Sequence, residues 1–173
     1  VELANKGAAS SALRYYAEFS NPNLPKYSWN SAKNNSLDEF VAGTLGIYFG
    51  LASEESVIRE RNPHLNFDIA TVPQISDGNT KLTYAVVYAL AILKKSASAD
   101  AALAVIYKLA FGASAGSISE QLHLPPARRD LLAATASDAS MSVYYNSSII
   151  SRTWYDPDWV VSRNIFADMI EDV

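Results

Sequence analysis

The stretch LTYAVVYALAIL, from Leu82 to Leu93, is the longest apolar run in the chain and the strongest indicator of its architecture. It is rich in Val, Ile, Leu and Tyr, has Thr83 inside it, and ends at Lys94 and Lys95. A run this continuous predicts a strand that is covered on both faces. It is well short of the roughly 18 to 20 apolar residues that a bilayer-spanning helix needs, so we expect no transmembrane segment.

Two shorter apolar runs upstream predict two more strands. Leu45–Phe49 is bounded by glycines, and Phe67–Val72 follows the helix stop at Asn62-Pro63. From Ser98 onward the patterns are mainly helical. The sequence therefore predicts an α/β protein in which short strands form two patches of sheet, surrounded by more helix than strand.

Local residues mark where the helices begin and end. Asn21-Pro22 and Asn62-Pro63 end helices, because the residue before a proline avoids the α conformation. Ser36 with Glu39 makes a capping box, and Asp156-Pro157 is a capping residue followed by a first-turn proline. The predicted helices are Ala8–Phe19, a short one from Ser36 to Gly43, Ser53–Asn62, Asp100–Phe111, Ser117–Leu122, Arg128–Ala136, Asp138–Arg152 and a last one after Pro157.

Composition excludes several classes of protein. The chain has 173 residues, about one domain, and is 49% hydrophobic and 18% charged, which is typical of a globular protein. With 14 Lys and Arg against 18 Asp and Glu, the net charge is -4, so no positive field favours nucleic acid. The lack of cysteine excludes disulfides and thiolate chemistry. Val1–Gly7 shows no signal-peptide pattern, which predicts a cytoplasmic protein or one whose N-terminus has been removed.

The sequence offers no recognisable catalytic or metal-binding set. Its two histidines, His64 and His123, are far apart and predict a solvated loop residue and a side chain packed near the surface. Asp156 and Asp158 are two residues apart at a helix start, where carboxylates usually serve the helix dipole. Gly43–Gly50 holds three glycines without a phosphate-loop pattern. We therefore expect no catalytic residues and no metal.

The aromatic content of the chain is above background. They make up 11% of the chain, including 10 Tyr and 3 Trp, and they lie beside Asn, Ser and Asp. This mixture suits stacking on sugar rings together with hydrogen bonds to hydroxyl groups. Taken one at a time, Tyr and Trp are more often core or edge residues than ligand platforms.

An ordered series of segments carries a family resemblance. The segments are ALRYYAEFSNPNLPKYSWN (Ala12–Asn30), SLDEFVAGTLGIYFG (Ser36–Gly50), NPHLNFDIATVPQ (Asn62–Gln74), TYAVVYALAILKKSASADAALAVIYKLA (Thr83–Ala110), LPPARRDLL (Leu124–Leu132), SRTWYDPD (Ser151–Asp158) and IFADMIEDV (Ile165–Val173). In this order the chain resembles extracellular solute-binding proteins of ABC importers, the class to which maltose-binding protein belongs. The likeness covers nearly the whole chain and is to the C-terminal half of such proteins.

The resemblance implies a type II periplasmic-binding-protein-like fold of two α/β lobes with the ligand in the cleft between them. Residues 1–83 and 137–173 would then build the C-terminal lobe, with short mixed sheets, and residues 84–136 would cross to the N-terminal lobe. It implies a receptor for a saccharide or related polar solute that closes its lobes on the ligand and docks on the membrane subunits of a permease. It also implies an extracytoplasmic location, a signal or anchor segment outside this chain, and no cofactor.

Carried over position by position, the resemblance assigns ligand-binding residues. The segment after GIYFG commonly faces the ligand, which here falls on Tyr48, Leu51 and Ser53. The start of the crossing strand often carries small residues such as glycine, whereas this chain has Tyr84, Ala85 and Val86, a bulkier set that argues against a large oligosaccharide. The SRTWYDPD segment often brings an aromatic to the cleft, so the predicted ring-stacking residues are Trp154 and, behind it, Tyr155 and Trp159.

Two other classes of function stay open at this point. A carbohydrate-active enzyme would use similar aromatics but needs two carboxylates facing each other at roughly 5 to 10 Å, for which the candidates are Asp68, Asp77, Asp156 and Asp158. An α/β interaction module without a small-molecule ligand would instead show an exposed apolar patch and no polar cleft.

Overall fold

A computed structural model describes residues 6–76, 78, 80–134 and 136–173. In chain order its elements are α1 (Lys6–Ala17), a 3-10 turn (Glu18–Ser20), α2 (Ser36–Val41), α3 (Glu54–Arg61), β1 (Thr83–Tyr84), α4 (Ala99–Phe111), α5 (Ser114–Leu122), α6 (Arg129–Leu132), α7 (Ala139–Ile150), β2 (Ser151–Arg152) and α8 (Trp159–Glu171). The chain is therefore helix-rich with a small parallel sheet, which agrees with the mixed α/β class. Two sets of residues named above, Val1–Asn5 and Asp77, lie outside the described part.

The chain divides into two compact units. The terminal unit consists of Val1–Glu39 and Trp154–Val173, and the central unit consists of Phe40–Thr153. The three-part division at residues 83 and 136 remains a prediction.

The predicted stop of the first helix is confirmed in the terminal unit. After the 3-10 turn the chain leaves the helical conformation at Asn21 and folds back, so that the amides of Ser28 and Trp29 donate to the carbonyl of Phe19 at 2.9 and 3.3 Å. Lys26 in this returning loop forms an ion pair with Glu18. The proline after Asn21 ends the helix, and these bonds fix the direction of the chain that follows.

Local signals also place the ends of α2 and α3. Asn35, rather than Ser36, supplies the side-chain oxygen that accepts the Leu37 amide at 3.0 Å, so the N-cap lies one residue before the predicted one. Gly43 follows α2 with a φ of 77°, a left-handed conformation that costs glycine little. Asn62 ends α3 as predicted, and its side chain donates to the carbonyl of Val41 at 2.7 Å, which ties the ends of the two helices together.

The core of the central unit is small and lies where α2, α3 and α7 contribute apolar side chains. The buried apolar residues among those described are Val41, Ile58, Met141 and Tyr144. Met141 is the most completely covered, at 1% exposure.

The sheet consists of one parallel pair. Thr83 pairs with Ser151 and Tyr84 with Arg152, and the amide of Ala85 extends the ladder by donating to the carbonyl of Arg152 at 3.1 Å. Parallel strands need a long crossover connection. Here the connection is the segment 85–150, which we call the excursion; it carries α4 to α7 and brings the chain back beside its starting point.

The predicted strands are wrong in most of their length. Leu45–Phe49 and Phe67–Val72 form no strand, and only the start of Leu82–Leu93 does. A strand needs a partner backbone, and the described chain offers a side chain instead. Gln74 donates its amide to the carbonyls of Val72 and Leu82 at 2.9 and 3.0 Å and accepts the Leu82 N–H at 2.9 Å. The backbone groups that would enter a ladder are therefore already bonded at this point.

Burial of the long apolar run on both faces is also wrong, because much of the excursion is exposed. The exposed large apolar side chains there are Val86, Val87, Tyr88, Leu90, Leu93, Leu103, Val105, Tyr107, Phe111, Ile118, Leu122 and Ile149.

Membrane-spanning length is not reached by any one helix in the described part of the chain. Helices α4 and α5 are apolar enough only when counted together, and they bend by 66° where they meet.

Candidate functional site

The three aromatics predicted near the last helix all lie in the terminal unit. The indole of Trp154 stacks on the ring of Phe166 with centroids 5.5 Å apart and planes 27° apart, and it is 54% exposed. Tyr155 is almost fully exposed. Trp159 is the first residue of α8, and the guanidinium of Arg163 lies 5.3 Å from its ring centroid. Trp154 therefore has one supported face and a large exposed area.

The two aspartates beside these aromatics serve the start of α8, as predicted, but the N-cap is Asp158 instead of Asp156, and Pro157 lies before the helix and not in its first turn. Asp158 is the N-cap and accepts the amides of Val160 and Val161 at 3.1 and 3.2 Å. Asp156 accepts the Asp158 amide at 3.2 Å and the hydroxyl of Ser162 at 2.7 Å. Both carboxylates are thus occupied by helix-start bonds, which is the behaviour of caps rather than of an acid and base pair.

Two other predicted residues, Tyr48 and Ser53, lie on the loop that leads into α3. The Tyr48 ring stacks on Phe40 at 5.6 Å, and burial raises the pKa of Tyr48 to about 12, with further contributions from the charge and hydrogen bond of Glu54. The same Glu54 carboxylate accepts the Leu51 amide at 2.7 Å. Ser53 precedes α3 without a side-chain cap bond. The Glu54 side chain is therefore bonded to two residues of this loop, Tyr48 and Leu51.

A residue larger than glycine at position 50 would require the side chains of Tyr48 and Glu54 to move. A Cβ on Gly50 would lie 2.5 Å from a ring carbon of Tyr48 and 2.6 Å from a carboxylate oxygen of Glu54. The remaining predicted residue, Tyr84, lies on β1 opposite Arg152 and is 55% exposed.

The structure also shows a polar cluster that the sequence did not predict. A cleft of about 330 Å³ opens where α3, the end of α5 and the start of α7 meet, and it is lined by Glu55, Arg59, His123, Asp138, Ala139 and Ser140. These residues are distant in the sequence, so no local motif predicts that they lie together. The only sequence signal was a second acidic residue beside Glu54, and that gave no reason to expect burial.

Glu55 is the centre of the cluster. It is only 6% exposed, and its two oxygens face donors from two helices. Oε1 accepts Arg59 Nε at 2.8 Å and Ser140 Oγ at 3.4 Å, and the Arg59 Nη2 lies 2.7 Å from it. Oε2 accepts the Tyr144 hydroxyl at 2.7 Å. The carboxylate therefore joins α3 to α7 through a fully bonded buried charge.

His123 borders the same cleft at the end of α5. It has a φ of 52°, the left-handed conformation that terminates many helices. Its Nε2 lies 3.5 Å from Glu55 Oε2 and 3.7 Å from Asp138 Oδ2. Asp138 is the N-cap of α7, and its hydrogen bond from the Met141 amide is the main cause that lowers the pKa of its carboxyl; the nearby His123 contributes in the same direction.

The hydrogen bonds of the cluster hold α3 and α7 together, and the His123 imidazole lies at its edge. The Glu55 carboxylate is occupied by its donors, which leaves little capacity for a substrate. Within the described ranges, no group of three or more His, Asp or Glu side chains is arranged to hold a metal ion.

The Tyr144 hydroxyl should make stability sensitive to alkaline pH. Burial and the hydrogen bond to Glu55 raise the pKa of Tyr144 well above the ordinary value near 10. A raised folded-state pKa gives stability that is complete below about pH 10 and is lost as the pH rises towards the folded-state value. We expect Tyr144→Phe to lower the urea midpoint at pH 7.5 and to lose less stability than wild type between pH 9.5 and 11.

The control for that prediction is Tyr88→Phe, since Tyr88 is 79% exposed. Its urea midpoints should follow those of wild type at every pH. Identical alkaline losses in Tyr144→Phe and wild type would contradict the assignment.

Comparisons of this chain with protein-family models, with curated proteins and with solved structures found no match.

Proposed function

We propose that the chain is the C-terminal portion of the solute-binding component of an ABC importer, and that it binds a saccharide or related polar solute by closing two lobes. The observation that carries this proposal is the parallel pairing of Thr83 with Ser151 and of Tyr84 with Arg152. Because β1 and β2 are neighbours, the excursion begins and ends at the same place in the sheet. A chain that crosses to a second lobe and comes back needs such a connection.

A hydrogen bond within the central unit supports the same assignment. In the central unit, Glu55 on α3 is bonded to Tyr144 on α7. Segments on either side of α4 to α6 are thus bound to each other, as expected if they build one lobe and the helices between them serve another.

The exposed apolar surface of the excursion supports a second lobe. Leu103, Tyr107 and Phe111 recur every four residues on α4, which places them on one side of the helix, and all three are exposed. Most of the large apolar side chains of Val86–Leu93 are exposed as well. Single exposed apolar residues are normal on a monomer, but so many in these two segments are not. A second α/β lobe packed on this surface would bury these side chains and complete the cleft.

For the ligand, the aromatics of the terminal unit are the strongest candidates. Phe166 supports one face of the Trp154 indole, so the ring is held in place before any ligand arrives. An ordered aromatic platform loses little conformational freedom on binding. We therefore assign stacking on a sugar face to Trp154, with Tyr155 and Trp159 as neighbouring contacts.

The proposal is tested by a thermal-shift screen of a longer chain that includes the second lobe, against sugars, amino acids and peptides. A ligand present at 100 times its dissociation constant should add about 2.7 kcal/mol of stability. Calorimetry on the 173-residue chain alone should show no saturable sugar binding at micromolar concentrations, since one wall of the cleft is missing. Tight one-to-one binding by this chain alone would overturn the two-lobe mechanism.

Trp154→Ala in the longer chain should weaken binding by about 1 to 3 kcal/mol, taking aromatic stacking on nucleic acid bases as the analogy for a sugar face. This corresponds to roughly 5- to 150-fold in the dissociation constant measured by calorimetry. The matched control is Trp29→Ala, a partly buried tryptophan with no assigned contact to ligand. Unchanged affinity with a lowered melting temperature in Trp154→Ala would mark this tryptophan as a packing residue.

A second candidate is an α/β interaction module without a small-molecule ligand, and the exposed apolar surface of the excursion favours it. The screen distinguishes the two, because a module would gain stability from a protein partner and from no solute. The hydrolase alternative has less support, since Asp156 and Asp158 are occupied at the start of α8. Docking on permease subunits and an extracytoplasmic location belong to the first proposal.

A further inference from the structure

The chain has only two side chains that ordinarily change charge between pH 5 and 8, His64 and His123. His64 is exposed in the loop after α3. His123 instead lies at the end of α5 between carboxylates from two other segments, Glu55 of α3 and Asp138 at the start of α7. A proton on His123 therefore acts at the meeting point of three helices.

The groups around His123 carry a net negative charge. On α3 they are the Glu55 carboxylate and the Arg59 guanidinium. On α7 and its cap they are the Asp138 carboxylate and the neutral hydroxyls of Ser140 and Tyr144. The sum is one negative charge with a neutral imidazole and zero with an imidazolium. Protonation therefore balances the cluster.

The two distances from Nε2, 3.5 and 3.7 Å, are longer than those of good hydrogen bonds. A neutral imidazole has one N–H and attracts neither carboxylate strongly. An imidazolium attracts both, and small shifts would bring its Nε2 within bonding distance of one of them. The ring also stands edge-on to Tyr144, with centroids 6.3 Å apart and planes 83° apart, which keeps it oriented towards the cleft.

We propose that His123 is a proton-operated clasp: its protonation fastens the end of α5 to the Glu55 carboxylate of α3 and to the N-cap of α7. The clasp itself follows from this geometry. Its consequence rests on the proposed function, in which α5 belongs to the part of the chain that serves the second lobe. Mildly acidic pH would then stiffen the connection between the lobes and change how readily they close on a solute.

The test is amide hydrogen exchange of the α5 C-terminus in the 173-residue chain at pH 5.5 and 8.0, corrected for the intrinsic pH dependence of exchange. An exposed ion pair contributes little, so protection at Leu122–Leu124 should rise about two- to fivefold at pH 5.5 in wild type. His123→Asn should abolish this rise, because asparagine tolerates the left-handed conformation but takes no proton. His64→Asn should behave as wild type.

Asp138→Asn separates the clasp from a general effect on the helix. Asparagine is an equally good N-cap, so α7 should keep its start while the pH response of α5 shrinks. A response of wild-type size in His123→Asn, or none in wild type, would overturn the proposal. The exchange measurement uses no solute, so a negative result does not contradict the proposed function. Equally, a negative solute screen does not contradict the role of His123.

Discussion

Met141→Ala should lower the free energy of unfolding by about 2 to 5 kcal/mol, the range measured when large buried side chains are cut to alanine. Met141 is 1% exposed and is the most completely buried side chain in the described part of the central unit. Only four apolar residues are buried there, so little neighbouring material can relax into the space. The measurement is the urea midpoint and slope followed by far-ultraviolet circular dichroism.

The chain carries its own control for this substitution. Its other methionine, Met169 on α8, is 39% exposed. The same change at Met169 removes the same atoms from a site that solvent already reaches, so Met169→Ala should cost well under half as much. Equal losses at the two positions would show that the core of the central unit does not centre on Met141.

Glu55→Ala should cost about 2 to 4 kcal/mol, since it removes a buried acceptor whose partner, the Tyr144 hydroxyl, is buried as well. The Tyr144 hydroxyl loses its 2.7 Å partner while remaining buried, and an unsatisfied buried group costs about 1 to 3 kcal/mol. Arg59 suffers less, because it is more than half exposed and water replaces the carboxylate. The loss of the contact between α3 and α7 accounts for the rest.

Two variants sharpen that prediction. Glu60→Ala, at an exposed position on the same helix, should change stability by about 0.5 kcal/mol or less. Combining Glu55→Ala with Tyr144→Phe should cost less than the two single losses added together, because the double variant leaves no orphaned hydroxyl. Strict additivity in urea unfolding would show that the two side chains do not act as a pair.

The Glu55 prediction concerns the junction of α3 and α7, and it has a direct consequence for the proposed function. If segments before and after α4 to α6 form one lobe, the bond between α3 and α7 keeps that lobe together while α4 to α6 move. Glu55→Ala would then weaken solute binding in the longer chain through loss of folded protein. The affinity of the folded fraction should be nearly unchanged.

Helix ends were predictable from sequence because they depend on residues next to each other. Asn21-Pro22 and Asn62-Pro63 end their helices where expected, since the proline restricts the residue before it. Asp138 begins α7 by accepting the Met141 amide, a bond that needs only a short side chain at the right position. The cap of α2 is at Asn35 and that of α8 is at Asp158. The larger errors are in the middle of the chain, where α5 begins at Ser114 instead of Ser117 and α6 ends at Leu132 instead of Ala136.

Strands were not predictable in the same way, because a strand is made by its partner. Leu45–Phe49 and Phe67–Val72 have suitable residues, yet the described chain provides no ladder for them, whereas Ser151 and Arg152 form a strand at the end of a predicted helix. The apolar run at Leu82–Leu93 correctly marks where β1 begins. Its burial depends on what lies against it, and no local pattern contains that information.

The sequence by itself determined the helix-rich α/β character, the ends of most helices and the aromatic content of the segment around Trp154, since each follows from local sterics, capping or composition. Only the tertiary structure decided that Glu55, His123, Asp138 and Tyr144 share one cleft. A buried carboxylate is stable only when donors from other helices reach it, and those donors are brought to it by the packing of α3, α5 and α7.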